Sequence, residues 1–359
     1  MRRRRNAVKA AARTGVCYDP RPGYGVNHRR PPARGFRSAW EPGPPGSLTT
    51  RDRIACPVCR SAASFGLVET SADYELLHCP ACDVVFANPM RGGDGNWYDQ
   101  MYIVRHVALD DRIRDYYVWA LAQVPPRARL LDVGCGEGTF VAYASRHGFE
   151  AVGIDLSPTA VEAGRRHFRT TALHATTLAG FRATHPRPTF GAVTLFEIVE
   201  HVEAPVGFLR EVYELLAPDG LVVLTVPNRT RWPIRDFVDY PPHHLTRWSA
   251  LSLRALLEAA GLEVLTIERS GVLPSINFFF GYAFRVLLYK TLAMHAKGFA
   301  GVTPPAGLPR ALRGALGEAG SLLRRTRDWA MWVPTLILAP LLYPLFEGHN
   351  LMAVGRRKG

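Results

Sequence analysis

The sequence predicts an α/β fold wound about one unit between residues 129 and 155, and three observations carry the prediction. A short apolar run, Leu130-Leu131-Asp132-Val133, ends in a loop with glycines at 134, 136 and 138. A helical stretch follows and closes at Gly148, a residue suited to the left-handed position past a helix end. A second apolar run, Ala151 to Ile154, stops on Asp155, an acid at a strand's C-terminal edge, where a carboxylate can accept both hydroxyls of a ribose. Strand, glycine loop, helix and acid-ended strand make half of a nucleoside-binding sheet.

Three kinds of nucleoside cofactor compete for such a unit. A dinucleotide fingerprint needs a glycine three places after Gly136, but Thr139 stands there. A phosphate-cradling loop needs Gly-Lys-Ser/Thr, and the chain has no lysine between Lys9 and Lys290. What remains is a loop whose backbone can approach a ligand closely, with Asp132 and Glu137 beside it. Acidic surroundings suit a cationic, phosphate-free nucleoside better than a pyrophosphate, and S-adenosylmethionine is such a molecule.

Asp132-Val-Gly134-Cys135-Gly136-Glu-Gly138 followed by Asp155 resembles the cofactor signature of the class I S-adenosylmethionine-dependent methyltransferases. The likeness continues through Phe190-Gly-Ala-Val-Thr-Leu-Phe-Glu197-Ile-Val-Glu200-His201-Val-Glu-Ala-Pro205 and Leu215-Leu-Ala-Pro218-Asp-Gly220-Leu-Val-Val-Leu-Thr-Val-Pro227-Asn228. It covers roughly residues 127–271 plus the last ten or so. The resemblance implies a Rossmann-like class I methyltransferase sheet that binds S-adenosylmethionine through Asp132, Gly134, Cys135, Gly136, Gly138, Asp155, Leu156 and Glu197, with Leu156 beside the adenine. Members commonly carry an acid after the third strand for the adenine amino group. Here Ala172-Leu-His174-Ala-Thr176-Thr177 stands there, a departure that leaves that contact unassigned.

In chain order, residues 1–50 come first. A chain of 359 residues can hold more than one unit, and its net charge of +13 is mainly a property of this tail: ten Arg and Lys9 against Asp19 and Glu41 place +9 there. Seven prolines among Gly and Arg keep the stretch from burying enough apolar surface to offset chain entropy, so it reads as a disordered basic tail. A nucleic-acid or anionic-membrane arm is the functional alternative. No apolar core of a secretory signal follows Arg2 to Arg5, and the reading is a cytoplasmic protein.

Residues 51–90 read as a small N-terminal zinc ribbon. Four of the six cysteines form two knuckles, Cys56-Pro-Val-Cys59 and Cys79-Pro-Ala-Cys82, nineteen residues apart, a spacing that brings four thiolates to one ion in a reducing compartment. Four thiolates leave no position for water, so this zinc is structural. Phe65–Val68 and Tyr74–Leu77 read as a hairpin between the knuckles. Zinc ribbons often place glycine after the second cysteine of a knuckle, and Arg60 and Asp83 in those positions predict a different local turn.

Residues 91–126 form a helical linker, with Ile113, Tyr116, Tyr117, Ala120, Leu121 and Val124 at helical spacing before Pro125-Pro126. In related methyltransferases such a segment lies over the cofactor, which nominates Tyr98 or Tyr102 to close the pocket.

In the core, 127–271, Ser157 reads as the N-cap and Pro158 as the first residue of a helix to Phe168. The fourth strand, Ala192 to Phe196, opens onto Glu197, Glu200 and His201, at the strand ends where a doubly wound sheet has its crevice. Methyl transfer from a sulfonium needs chiefly alignment and exclusion of water, with a base only for a hydroxyl or acidic-carbon acceptor. His201, beside Glu200, is one candidate base, and helix capping by this segment is the structural alternative. Beyond a helix from Pro205, a turn at Pro218-Asp219-Gly220 and a strand at Leu221–Val226, the loop Tyr240-Pro-Pro-His243-His244-Leu-Thr-Arg247-Trp248 resembles the substrate-side loop of small-molecule methyltransferases. His243 or His244 is the second candidate base. A helix at Leu251–Ala260 and a strand at Glu263–Glu268 follow, and residues 348–359 supply the last strand, which the resemblance implies is antiparallel, and a basic end.

Residues 272–347 are therefore an apolar helical insertion before the last strand. Val272–Phe284 is uncharged, and so are the eighteen residues Trp329–Phe346, a length that matches a membrane span. Pro334, Pro340, Pro344 and the short return to the sheet argue against a span. A helical cap with a membrane-surface face, a greasy acceptor tunnel or an oligomer interface remain.

The expected function is methyl transfer to a small-molecule or lipid-linked acceptor, quinone-, sugar- or glycolipid-like, with peripheral contact at the inner face of the membrane through 272–347. A nucleic-acid methyltransferase using the ribbon and tail is the weaker alternative, because the Asn-Pro-Pro-aromatic signature of amino-directed enzymes is missing where Phe196-Glu-Ile-Val stands. A protein that holds the cofactor without chemistry is the third reading.

Overall fold

The computed structural model describes residues 54–62, 64–99, 113–185, 189–230, 239–271, 276, 336–338, 341 and 348–358. The readings made for the 1–50 tail, for Tyr102 and for nearly all of the 272–347 insertion lie outside the described residues.

The ribbon supplies strands β1 (Gly66–Ser71), β2 (Tyr74–His78) and β3 (Val85–Asn88). The core follows as α1 (Asp115–Gln123), β4 (Arg129–Val133), α2 (Thr139–Arg146), β5 (Glu150–Asp155), α3 (Pro158–Phe168), β6 (Leu173–Ala175) and α4 (Leu178–Thr184). Its second half is β7 (Phe190–Phe196), α5 (Pro205–Tyr213), β8 (Leu216–Pro227), β9 (Thr246–Arg247), α6 (Ala250–Ala259), β10 (Leu262–Arg269) and β11 (Asn350–Arg357).

The main sheet has seven strands in the order β10-β11-β8-β7-β4-β5-β6. β4 pairs in parallel with β5 and β7, and β11 runs antiparallel between β8 and β10, as the sequence predicts. Strand order reverses at β4, so the C-terminal ends of β4, β5 and β7 open on one crevice, the place where such sheets bind ligands.

Both faces of the sheet are covered, which is why its strands read as near-continuous apolar runs. Leu131, Val133, Val222, Leu224 and Val226 pack in one cluster with Leu209 and Val212 of α5 and Leu253 and Leu256 of α6. The alternate residues Leu130, Ala192 and Val223 meet Ala120 of α1 and Phe140 and Ala144 of α2 on the other face. Burying one such leucine is worth about 1.5–3 kcal/mol relative to exposure.

Two features depart from the sequence reading. Pro218-Asp219-Gly220, expected as a turn, lies inside β8: Asp219 takes φ 60°, and the pairing with β7 shifts register between Phe190 and Ala192. The turn residues mark a bulge and not a break. The ribbon, in turn, shares its sheet with the core. Its order is β1-β2-β3-β9, with Val85 opposite Arg247 and Phe86 opposite Thr246. Cys56, Val58, Leu77 and Phe86 pack in the same apolar cluster as Trp248 and Leu253.

Within the insertion, Ile276 is buried, whereas Leu336, Ile337 and Leu341 are helical and more than half exposed. No helix among the described residues is long and apolar enough to cross a membrane.

Candidate active site

The loop after β4 folds back onto β5. The Gly134 and Cys135 amides both donate to the Ile154 carbonyl, at 2.8 and 3.0 Å, and the Gly136 amide donates to the Asp155 carboxylate at 2.7 Å. Gly134 adopts φ 75°, and a Cβ there would overlap Ile198. Gly164 matters from the other side, because a Cβ on this residue of α3 would run into the Glu137 carbonyl.

Asp155 uses its second oxygen to accept from the Ser157 amide at 2.8 Å. Each carboxylate oxygen has two lone pairs, so both keep acceptor capacity for ribose hydroxyls. Burial raises its pKa, against the pull of the Ser157 and Gly136 amides. Leu156, next along, is exposed and open to a ligand. Cys135 is held neutral, its thiol pushed up by burial and then by Asp132 and Asp155.

Asp132 is buried at the end of β4 and accepts from the Thr194 hydroxyl at 2.7 Å. Burial raises its pKa to about 7; the Thr194 hydrogen bond opposes the shift and the Asp155 charge adds to it. A cation bound beside this carboxyl would ionise it.

No sequence pattern points to Asp99, yet it fixes the mouth of this half-site. Its carboxylate accepts from Ser157 Oγ at 2.5 Å, Thr159 Oγ1 at 3.1 Å and the Thr159 amide at 3.2 Å. The segment before the core is thereby pinned to the start of α3, which Ser157 caps by accepting from the Ala160 amide at 3.1 Å, as predicted.

Glu197, nominated as a cofactor ligand, is placed differently from the loop residues. It adopts φ 56°, and its carboxylate accepts from the Thr225 hydroxyl at 2.9 Å and the Asn350 side chain at 3.1 Å, on the neighbouring β8 and β11. This left-handed residue turns the chain out of β7 into a single 3-10 turn, Val199–His201. α5 begins only at Pro205 and has no side-chain cap, so Glu197–His201 does not serve as one.

That turn brings Glu200 and His201 against the loop carrying His243 and His244. His201 Nδ1 donates to the His243 carbonyl at 2.7 Å, which fixes the tautomer and leaves the lone pair on Nε2. His201 Nε2 lies 3.9 Å and His244 Nε2 4.0 Å from Oε1 of the buried Glu200. His244 Nδ1 meets the Asp239 carboxylate at 3.3 Å. Burial, followed by the neighbouring His244 and His243, pushes the His201 pKa well below the usual imidazole value, so this ring is neutral at physiological pH.

The rings of His243 and His244 stack at 4.8 Å, and His201 approaches His243 edge-on at 4.4 Å. Ligand nitrogens of the three imidazoles lie within 4.8 Å of one another, a donor set that could hold an imidazole-binding divalent ion. Tyr98 meets His201 edge-on at 5.9 Å. Its hydroxyl is buried without a hydrogen-bond partner among the described residues, and burial, with the Glu200 and Glu203 charges, keeps it protonated. The tyrosine expected to close the pocket thus sits on the histidine side.

The four ribbon cysteines also converge. Their sulfurs lie within 4.8 Å of one another, with Cys56–Cys82 at 3.5 Å and Cys59–Cys79 at 3.7 Å. A tetrahedral ion with bonds to sulfur of about 2.3 Å sets its thiolates about 3.8 Å apart. The four residues could hold a zinc-class ion. Arg60 and Asp83, expected to alter the turns, instead adopt the left-handed conformation themselves, at φ 62° and 65°. Both knuckles close alike, with the Arg60 amide on the Cys56 carbonyl at 3.1 Å and the Asp83 amide on that of Cys79 at 2.8 Å.

Comparison with known proteins adds to this geometry. Residues 105–267 match the methyltransferase domain family. The chain is 36% identical over 141 residues to the ubiquinone biosynthesis O-methyltransferase of Xanthomonas campestris pv. campestris (strain B100), spanning 37% of this chain and 57% of that protein. It is 34% identical over 122 residues to the protein of the same name from Alkalilimnicola ehrlichii, spanning 32% and 47% respectively. The chain thus spans about half the length of these relatives. Among solved structures, a SAM dependent methyltransferase from Archaeoglobus fulgidus superposes with a TM-score of 0.41 at 15% identity, covering 74% of this chain and 95% of that one.

Proposed function

From a chain whose residues 105–267 match a methyltransferase domain family, we propose an enzyme that transfers a methyl group from S-adenosylmethionine to a hydroxyl of a small-molecule or lipid-linked acceptor, quinol-like in chemistry. The observation that carries the reading is the position of a neutral His201, its Nε2 lone pair fixed by the 2.7 Å bond at Nδ1, in the turn that follows β7, the strand paired with β4. The names of the relatives support the acceptor class.

When bound, S-adenosylmethionine supplies a methyl group on a cationic sulfur, and that C–S bond breaks as the new C–O bond forms. Asp155 would hold the ribose and Asp132 would face the ammonium of the amino-acid end. His201 Nε2 takes the acceptor proton, and Glu200, 3.9 Å away, stabilises the resulting imidazolium. The Tyr98 hydroxyl orients the acceptor oxygen. The four cysteines would hold zinc in a structural role.

The test pairs calorimetry with turnover. S-adenosylhomocysteine should bind the wild-type chain, and Asp155→Ala should lose that heat. With a prenylated catechol as probe acceptor, His201→Gln should lower kcat by about 10²–10⁴-fold while leaving product affinity in place. Wild-type turnover should rise with pH through a pKa below 6.5, a limb absent from His201→Gln. No binding heat, or turnover indifferent to His201, overturns the proposal. A second reading follows from the three converging imidazoles: a divalent ion there would lower the acceptor hydroxyl's pKa directly, and turnover would then depend on added metal after chelation.

A further inference from the structure

We propose that the four-cysteine ribbon is a metal-dependent clamp on the histidine loop, with Arg247 and Arg229 as its positioning residues. An ion on Cys56, Cys59, Cys79 and Cys82 holds His243 and His244 in register with His201, and its loss disorders the acceptor side while leaving the methyl-donor side intact. The terms donor and acceptor rest on the methyl-transfer reading; the clamp itself does not.

Among the described residues, the loop's one strand is β9, and it is part of the ribbon's sheet. The Ala87 amide donates to the Leu245 carbonyl at 2.8 Å, and the Leu245 amide in turn donates to the Glu200 carbonyl at 2.7 Å. Main-chain bonds therefore run without a gap from β3, through residue 245, to the turn that carries Glu200 and His201.

Side chains make a second connection. Glu69 on β1 forms an ion pair with Arg247 and accepts from the Tyr240 hydroxyl at 3.4 Å. Arg247 lies over the Tyr240 ring at 5.0 Å and donates to the Asp239 carbonyl through Nε and Nη2, at 3.3 and 3.1 Å. Asp239 is the residue whose carboxylate meets His244 Nδ1 at 3.3 Å. A pull on β1 is thus relayed through one arginine to the residue that orients a site imidazole.

The knuckles supply the anchor. Asp83 directly follows Cys82 and accepts from Arg229 Nη2 at 2.7 Å on both oxygens, while its carbonyl accepts from Arg229 Nη1 at 2.7 Å. Arg229 itself donates its amide to the Trp248 carbonyl at 2.8 Å. With sulfurs 3.5 and 3.7 Å apart and unbonded, the knuckles have no covalent tie of their own, and an ion is what would hold both in place. The bonds that shape the other half-site run among β4, β5, β7 and Asp99, away from this path.

The test uses the full chain with zinc as the probe ion and ¹⁵N-histidine side-chain spectra as the readout. Loaded protein should carry one zinc per chain, with His201 and His244 both protonated at Nδ1. Chelation should shift or broaden the His243 and His244 signals, restored on adding zinc back, while affinity for S-adenosylhomocysteine stays within about threefold. Arg247→Gln should reproduce the shift with zinc still bound, and Arg247→Lys should restore part of it. Glu69→Gln is the milder variant should Arg247→Gln fail to fold.

Absence of bound zinc, or histidine signals indifferent to its removal, overturns the clamp. So does a loss of S-adenosylhomocysteine affinity that parallels the histidine changes, since that would mark general unfolding. If loaded protein gives no heat with S-adenosylhomocysteine but its histidine signals still follow the ion, the methyl-transfer reading falls and the clamp stands.

Discussion

Asp132 is a carboxyl whose charge the fold leaves near balance at neutral pH, and two measurements follow. Its native pKa of about 7 stands above the ordinary 3.8, so between those values the folded chain holds a proton that the unfolded chain has released. Asp132 therefore contributes stability at low pH that is lost as pH rises from about 4 toward about 7. Urea midpoints at pH 5 and pH 8 should show this loss in the wild-type chain and a smaller one in Asp132→Asn. Ligand binding should expose the same proton. An ammonium placed beside Asp132 lowers its pKa, so S-adenosylhomocysteine, whose amino-acid end carries one, should release about half a proton at pH 7, and titrations in buffers of different ionisation enthalpy would detect it. Proton release undiminished in Asp132→Asn would move the effect to another group, with Asp155, also raised by burial, the first alternative.

Elements approach one another here as closely as their smallest residues permit, and two glycines in helices separate that requirement from chance. Gly164 places α3 against the Glu137 carbonyl, whereas a Cβ on Gly207, in the exposed face of α5, would have only the Ala204 Cβ near it, at 3.9 Å. Gly164→Ala should destabilise by about 1–3 kcal/mol and weaken cofactor binding. Gly207→Ala should stabilise by up to about 1 kcal/mol and leave binding unchanged. Thermal melts of the two variants should move in opposite directions. The contrast also shows where the sequence was legible. Strand β4, its loop, Asp155, the Ser157 cap and both knuckles are local patterns whose cause and effect lie within a few residues. β9 is two residues long and has no periodicity to read, and Asp99 meets Ser157 across 58 positions, with nothing in either neighbourhood to announce it. The histidines were legible as separate candidates; their convergence depends on β9 pairing with β3, a tertiary event.

Among the described residues the molecule has two sheets that share one apolar cluster, since the knuckle cysteines pack together with Trp248 and with the helices on one face of the main sheet. Ribbon and core should therefore unfold in one transition, with the electrostatics of their junction felt by both. Asp83 is the acid at that junction. Burial would raise its pKa, but hydrogen bonds from Arg229, Ser249 and His78 outweigh burial and hold it at about 2, below the ordinary 3.8. As pH falls, the unfolded chain takes up this proton first, so the stabilisation is present above about 4 and is lost as pH drops toward 2. Asp83→Asn keeps the shape but loses the charge, and should lower stability at pH 7 by about 1–3 kcal/mol. The difference from wild type should shrink toward pH 2, because both side chains are then neutral. Urea denaturation followed by tryptophan fluorescence and by circular dichroism would read both claims together. A difference as large at pH 2.5 as at pH 7 would remove the ionic account of the junction, and transitions that separate by probe would remove the coupling through the shared cluster.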